Sequence, residues 1–262
     1  VGSEMCIRDR NDSVKVNKKR VFIAGSSIAL AIAGSYWYIE NSWWSDRQIP
    51  FHFDDGSDLI SALNVDNFGH FMGGLQAADF FTSSMWWASM PEKKAILYGA
   101  LFGSSLQLAI EMKDAYAPYW GFSRWDLAIG SAGALWPVAQ YYYDDLKAIN
   151  FKFSYYKRSD IYWQLEQQRG KTISQYAWQD DYPNQTYWAT FNIDHFTENC
   201  YWPEWLNIAV GFGLDDLQYL NEQNQKVGGN NEWYIALDYN LSKMFKNLNS
   251  PTSKKIKHWL NY

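Results

Sequence analysis

Cysteine is nearly missing from this chain. Cys6 and Cys200 are the only two in 262 residues, which excludes the disulfide framework of a small secreted scaffold. Also missing are a glycine-rich phosphate loop and a G-x-S-x-G nucleophile elbow, two readable signatures of nucleotide-dependent and acyl-transfer chemistry. Basic charge is in deficit, with 23 Lys and Arg against 28 Asp and Glu and a net charge of -5. A general nucleic-acid binder needs a basic stripe to displace counterions, so nucleic acid is excluded as a partner. The length allows a substantial core in one or two domains, and the sequence requires no cofactor to explain folding. What is abundant is aromatic: 15 Trp and 19 Tyr suit surfaces apolar at one end and wet at the other, as at a membrane interface.

Residues 1–10 (VGSEMCIRDR) resemble translated adapter sequence and are set aside as an artefact. Basic KVNKKR (Lys15 to Arg20) leads into Val21 to Ile39, which carries no charge. Residues 15–39 are therefore a signal peptide, with Ala31 and Ala33 as an A-x-A-like cleavage site, or a first transmembrane helix. Three further apolar runs, Phe68 to Met90, Ala95 to Met112 and Leu127 to Tyr143, are joined by short connectors that predict antiparallel neighbours. Each carries a small-xxx-small spacing (Gly69/Gly73, Gly99/Gly103, Gly130/Ala134) that lets helix backbones approach closely. Lys93, Lys94, Lys147, Lys152, Lys157 and Arg158 fall on the side where KVNKKR begins, so the Lys/Arg bias predicts four spans with both termini inside.

Residues 41–149 thus read as a helical bundle core and residues 150–262 as a polar, aromatic-rich region. In the latter, alternation over Glu232 to Leu241 puts Trp233, Ile235, Leu237, Tyr239 and Leu241 on one face of a half-buried strand. Leu206 to Phe212 reads as another strand, and Asn221 to Asn231 as a loop. The fold class expected is mainly α: a short antiparallel apolar helical bundle, membrane-associated, with a C-terminal α+β portion.

Asp66 and His70, four apart, share one face of a helix beginning there, and Glu111 and Asp114 lie at the end of the next run. With antiparallel helices these residues, Arg124 and Asp126 converge at one end of the bundle. Ionisable groups near an apolar helix end are costly unless paired or hydrated, which makes the six a candidate catalytic cluster. One outcome is a salt-bridged cap, Arg124 pairing with Glu111 or Asp126 and His70 with Asp66. The other is a working site, with His70, Glu111 and Asp126 as metal ligands or a His/Asp base assisted by Arg124. His52 is a possible addition on the same side. A third arrangement makes Trp202, Trp205 and Trp233 an exposed carbohydrate-binding platform.

FHFDDGSD (Phe51 to Asp58), VDNFGH (Val65 to His70), AIEMKDAY (Ala109 to Tyr116), SRWDLAIGSAGA (Ser123 to Ala134), NQTYWATFNI (Asn184 to Ile193) and EWLNIAVGFG (Glu204 to Gly213) together resemble the YfiM-like family of predicted periplasmic lipoproteins. The order of D-x-x-x-H, acidic pair and R-x-D is more distantly similar to VanZ-like membrane proteins. Asn67 stands where the YfiM-like pattern has Lys, Gly130 stands where it has Asn, and no lipobox Cys follows the first apolar run. The resemblance implies a helical core in the bacterial cell envelope, at the inner membrane or facing the periplasm, and a pattern continuing beyond Trp259 to Tyr262. It carries no settled activity. The expectation is an envelope protein of unassigned activity whose partners are membrane lipid or other envelope components. The alternative is a membrane-embedded hydrolase, metal- or His/carboxylate-assisted, acting on a lipid or cell-wall precursor.

Overall fold

A computed structural model describes residues 15–41, 48–56, 59–60, 62–118, 120–170, 180–197 and 202–244. The expectations attached to residues 1–10, to Cys6 and Cys200, to Asp58 and to the C-terminal residues 259–262 lie outside the described residues. Helix α1 (Lys18–Glu40) starts where the Asn17 side chain accepts a hydrogen bond from the Arg20 amide at 3.1 Å. The three further runs fold as α2 (Val65–Trp87), α3 (Glu92–Asp114) and α4 (Arg124–Tyr142, with Pro137 inside it).

Contacts at both ends set the helix directions. At one end the Asn17 amide donates to the Ala88 carbonyl at 2.9 Å, Arg20 donates to the Trp87 carbonyl at 3.1 Å, and the Lys93 ammonium lies over the Tyr142 ring. At the other, Lys113 pairs with Glu40 at 2.6 Å, and Glu111 accepts from the Ser123 amide at 2.8 Å. Helices α1 and α3 therefore run one way and α2 and α4 the other. The small residues work as expected in two runs of three. A Cβ on Gly103 would stand 2.7 Å from the Gly74 carbonyl oxygen, and one on Gly130 would meet the Gln107 side chain at 2.7 Å. The first run differs: Gly69 faces the Tyr187 hydroxyl and Gly73 the Gln107 amide, while the tightest backbone crossings fall at Gly74 and Gly133.

After a 3-10 turn at Asp144–Ala148 come β1 (Ile149–Tyr155), α5 (Ile161–Gln168), β2 (Gln185–Phe191), α6 (Ile193–Phe196), β3 (Leu206–Leu214), β4 (Gln218–Leu220), β5 (Lys226–Gly228), β6 (Asn231–Tyr239) and α7 (Leu241–Met244). The main sheet is antiparallel in the order β1-β2-β3-β6, and β4 and β5 form a separate hairpin. The mainly α shape with a C-terminal α+β portion is the architecture expected. The stretch expected to be all loop, Asn221 to Asn231, contains β5 and the first residue of β6.

Helical and β portions share a core. Val65, Met72 and Leu75 of α2 pack with Tyr187, Phe212 and Leu214, and the Phe71, Trp136 and Phe151 rings meet edge to face. The strands run beside the bundle from Gln140, whose amide donates to the Ile149 carbonyl at 3.0 Å, to Leu63, whose carbonyl accepts from Asn231 at 2.8 Å.

Strand β6 alternates as predicted, but its apolar face is the exposed one. Trp233, Ile235 and Leu237 are 68%, 84% and 61% exposed. By register they share a face with Phe153 and Phe151, which pack against the core around α2. The bundle covers that face at β1 to β3 and leaves β6 uncovered. The other face is polar: Lys152 pairs with Asp238 at 2.6 Å, Asn207 donates to Asp238 at 3.0 Å, and Thr190 is buried.

Candidate functional site

The site forms at the bundle end where α2 begins, α3 ends and α4 begins. Four of the six expected residues come together. Asp66 and His70 are one turn apart on α2, with 3.7 Å between Asp66 Oδ2 and His70 Nε2. On the other side of the ring, Glu111 Oε1 lies 3.7 Å from Nδ1. Asp126 completes the group: one ligand atom each from Asp66, His70 and Asp126 lies within 4.8 Å of the others. Among the described residues the grouped ligand atoms are those of Asp66, His70 and Asp126; the expected set was His70, Glu111 and Asp126, of which Glu111 stands on the Nδ1 side of the ring.

Local structure explains the selection. Ser123 is the N-cap of α4; its hydroxyl accepts from the Asp126 amide at 3.2 Å, while its own amide donates to Glu111 Oε2 at 2.8 Å. One serine thus fixes the first turn of α4 against the last turn of α3. Arg124 and Asp126 are two residues apart on a helix, or about 200° around the axis, so a side chain at one points away from that at the other. Asp126 is buried; Arg124 is exposed, with its guanidinium carbon 4.7 Å from the centre of the Phe53 ring. The expected Arg124 pair with Glu111 or Asp126 is replaced by this cation-π contact. Asp114 is partly buried one turn further on, outside the closest set. His52 also stays outside, its Nε2 hydrogen-bonded to the Trp120 carbonyl.

Two members were not anticipated. Gln107, one turn before Glu111 on α3, is 2% exposed and places Oε1 2.9 Å from His70 Nδ1. Its spacing from Glu111 was the available signal, because residues four apart share a helix face. Tyr182, in a short 3-10 turn before β2, donates its hydroxyl to Asp66 Oδ1 at 2.5 Å. That bond joins the sheet to the cluster, and no local pattern in the sequence announces it.

Chemically, Asp66, Glu111 and Asp126 surround one imidazole. Such an arrangement binds cations, or holds a histidine ready to exchange a proton. The three tryptophans do not form one platform. Trp205, stacked on Tyr239, and Trp233 are exposed at opposite ends of β6, about 20 Å apart by strand rise. Trp202 is partly buried and donates to the Leu206 carbonyl at 2.5 Å. Compared with family models, curated proteins and solved structures, the chain matches none.

Proposed function

We propose that this chain is a membrane-embedded protein of the bacterial cell envelope, its bundle crossing the bilayer and its His70 cluster lying at the outer face. One observation carries the reading: exposed aliphatic side chains at mid-height, with exposed aromatics toward both ends. Leu30, Leu101 and Leu135 occupy the middle of α1, α3 and α4; Trp37 and Trp125 lie toward the cluster end, and Phe22, Trp87 and Tyr142 toward the other. Strand β6 repeats the order, with Ile235 and Leu237 between Trp233 and Tyr239. Aliphatic bands between aromatic belts mark lipid-facing surfaces. Helices α1 and α3, 23 residues each, are long and apolar enough to cross a membrane, reaching about 35 Å against a hydrocarbon core of about 30 Å.

Lys18, Lys19, Lys93 and Lys94 lie at the end away from the cluster, whereas Arg158, expected on that side, bonds to the Pro183 and Leu214 carbonyls at the cluster end; the lysines at the helix ends favour a cluster turned outward. The Glu40–Lys113 pair ties α1 to α3, which favours retention of α1 over cleavage. The YfiM-like resemblance supports the same compartment. In this reading the cluster fastens helices to sheet, and the chain works through lipid or other envelope components. A second reading, a His/carboxylate hydrolase acting on a lipid or cell-wall precursor, draws on the partial exposure of Asp66 and His70, 20% and 16% at their side chains. Alkaline carbonate extraction of membranes holding the full chain tests the location: it stays in the pellet, and release into the supernatant would overturn the reading. Turnover of a lipid-linked precursor by wild type and not by His70→Ala would establish the second reading over the first.

A further inference from the structure

We propose that Asp66, His70 and Asp126 bind a divalent transition-metal ion, with Gln107 orienting the imidazole for it. The proposal names a ligand for the cluster that fastens helices to sheet, and it stands whether or not the hydrolase reading does. Three ligand atoms, two from α2 and one from α4, already lie within 4.8 Å of one another. Small side-chain rotations bring such atoms to metal–ligand bonds of about 2.0–2.2 Å.

A second, independent observation points to a cation. Asp126 is only 3% exposed, and its Oδ1 has no hydrogen-bond partner among the described residues. A buried carboxylate oxygen without a donor is costly, and native structures normally satisfy it. The ion pairs that reach the cluster do not supply the missing charge: His70 is the one basic group paired with Asp66 and Glu111 among the described residues, at 3.7 Å in both cases. Such distances are longer than hydrogen bonds. Asp66 and Asp126, two carboxylates beside one imidazole, form an acidic set that a divalent cation neutralises.

Gln107 completes the argument. Its Oε1 only accepts hydrogen bonds, so at 2.9 Å it holds the proton on His70 Nδ1. In the neutral ring Nε2 then carries the lone pair and lies on the side of Asp66, which is how an outer residue sets the tautomer of a ligating histidine. Glu111 is held back by the Ser123 amide and serves as a neighbouring acceptor. One imidazole and two carboxylates suit Zn2+ or Mn2+; Mg2+ and Ca2+ favour all-oxygen sites.

The test uses the full chain in detergent, stripped with chelator and dialysed against Zn2+, Mn2+, Mg2+ or Ca2+, with bound metal measured by elemental analysis and affinity by calorimetry. Wild type takes up one equivalent of Zn2+ or Mn2+. Asp126→Asn, which keeps the volume, and His70→Gln weaken binding at least a hundredfold, and Gln107→Met weakens it ten- to a hundredfold, while circular dichroism of all three stays native. No bound equivalent, wild-type affinity in Asp126→Asn, or preference for Mg2+ or Ca2+ overturns the proposal. If a variant fails to fold, uptake by the wild type at one equivalent, and its competition by Co2+ with the absorption of a nitrogen- and oxygen-ligated ion, decides instead. Retention in carbonate-washed membranes is scored separately, so a chain that stays in the pellet and takes up no metal defeats this proposal alone.

Discussion

Lys152 on β1 and Asp238 on β6 form a 2.6 Å ion pair although β2 and β3 lie between their strands. In a flat sheet three inter-strand steps of about 4.8 Å would separate those strands by about 14 Å, beyond the reach of the two side chains. The sheet is therefore strongly curled around its polar face. Lys152 also donates to the Tyr239 carbonyl at 3.3 Å, and Trp188 lies against Gly211, where a Cβ would come within 2.7 Å of the ring. Curling turns the apolar face outward, toward the bundle at β1 to β3 and toward the exposed surface at β6.

Lys152→Met is expected to destabilise the protein by about 1.5–3 kcal/mol, the range for a hydrogen bond to a charged group, because it leaves the Asp238 charge uncompensated on the inner face with the Asn207 amide as its donor. Combining it with Asp238→Leu recovers much of the loss, since replacing both partners removes the uncompensated charge. Chemical unfolding in detergent measures both. A double variant no more stable than Lys152→Met would show that the pair does not hold the curl.

Gly74 lies where α2 and α4 touch backbone to backbone; an added Cβ would meet the Gly130 carbonyl oxygen at 2.0 Å. Gly74→Ala should cost about 3 kcal/mol or more, at the upper end of overpacking effects. Gly25 in α1 has nothing within 4 Å of the same added atom, so Gly25→Ala should be neutral or stabilising by up to about 1 kcal/mol. Equal midpoints for the two variants would contradict the close crossing.

Asp215, in the loop after β3, ties that loop to the start of β6. Burial pushes its carboxyl up, but hydrogen bonds from the Asn230 side chain and backbone and from the Leu217 amide, with Arg158 nearby, hold it below the usual carboxylate range. A depressed folded-state value contributes stability above the unfolded value of about 3.9 and loses it as pH falls through the folded one. Amide exchange at Leu217 and Asn230 should lose protection, relative to Asp215→Asn, as the pH drops below about 4. Parallel pH profiles in the two proteins would remove Asp215 as the cause.

Tyr182→Phe removes the hydroxyl that Asp66 accepts. A loss of about 1–3 kcal/mol is expected, as for a carboxylate deprived of a donor. Gln107 and His70 lie on other elements and keep their contact, so the His70 ring resonances should stay close to wild type. A wholesale shift of those resonances would mean that Tyr182 organises the ring rather than linking the sheet to Asp66.

Helix spacing and connector length were enough to place Asp66, His70, Glu111 and Asp126 at one bundle end, because a 3.6-residue period and antiparallel neighbours constrain where such residues fall. The same period separates Arg124 from Asp126, but deciding which of the two turns inward required the packing of α4 on α3 through Ser123. Alternation in β6 identified a strand and its two faces. It could not tell which face is covered, because that depends on how far the bundle reaches across the sheet and on the Lys152–Asp238 curl. Tyr182 entered the cluster by tertiary placement, because a hydrogen bond spanning 116 residues, from Tyr182 to Asp66, leaves no trace in local periodicity; Gln107 shares a helix face with Glu111, but its bond to His70 across 37 residues depends on how the two helices pack. The sequence by itself determined the elements and their polarity, which are local properties of the chain. The tertiary structure decided which polar groups meet and which apolar face stays uncovered, since both depend on contacts between segments far apart in the chain.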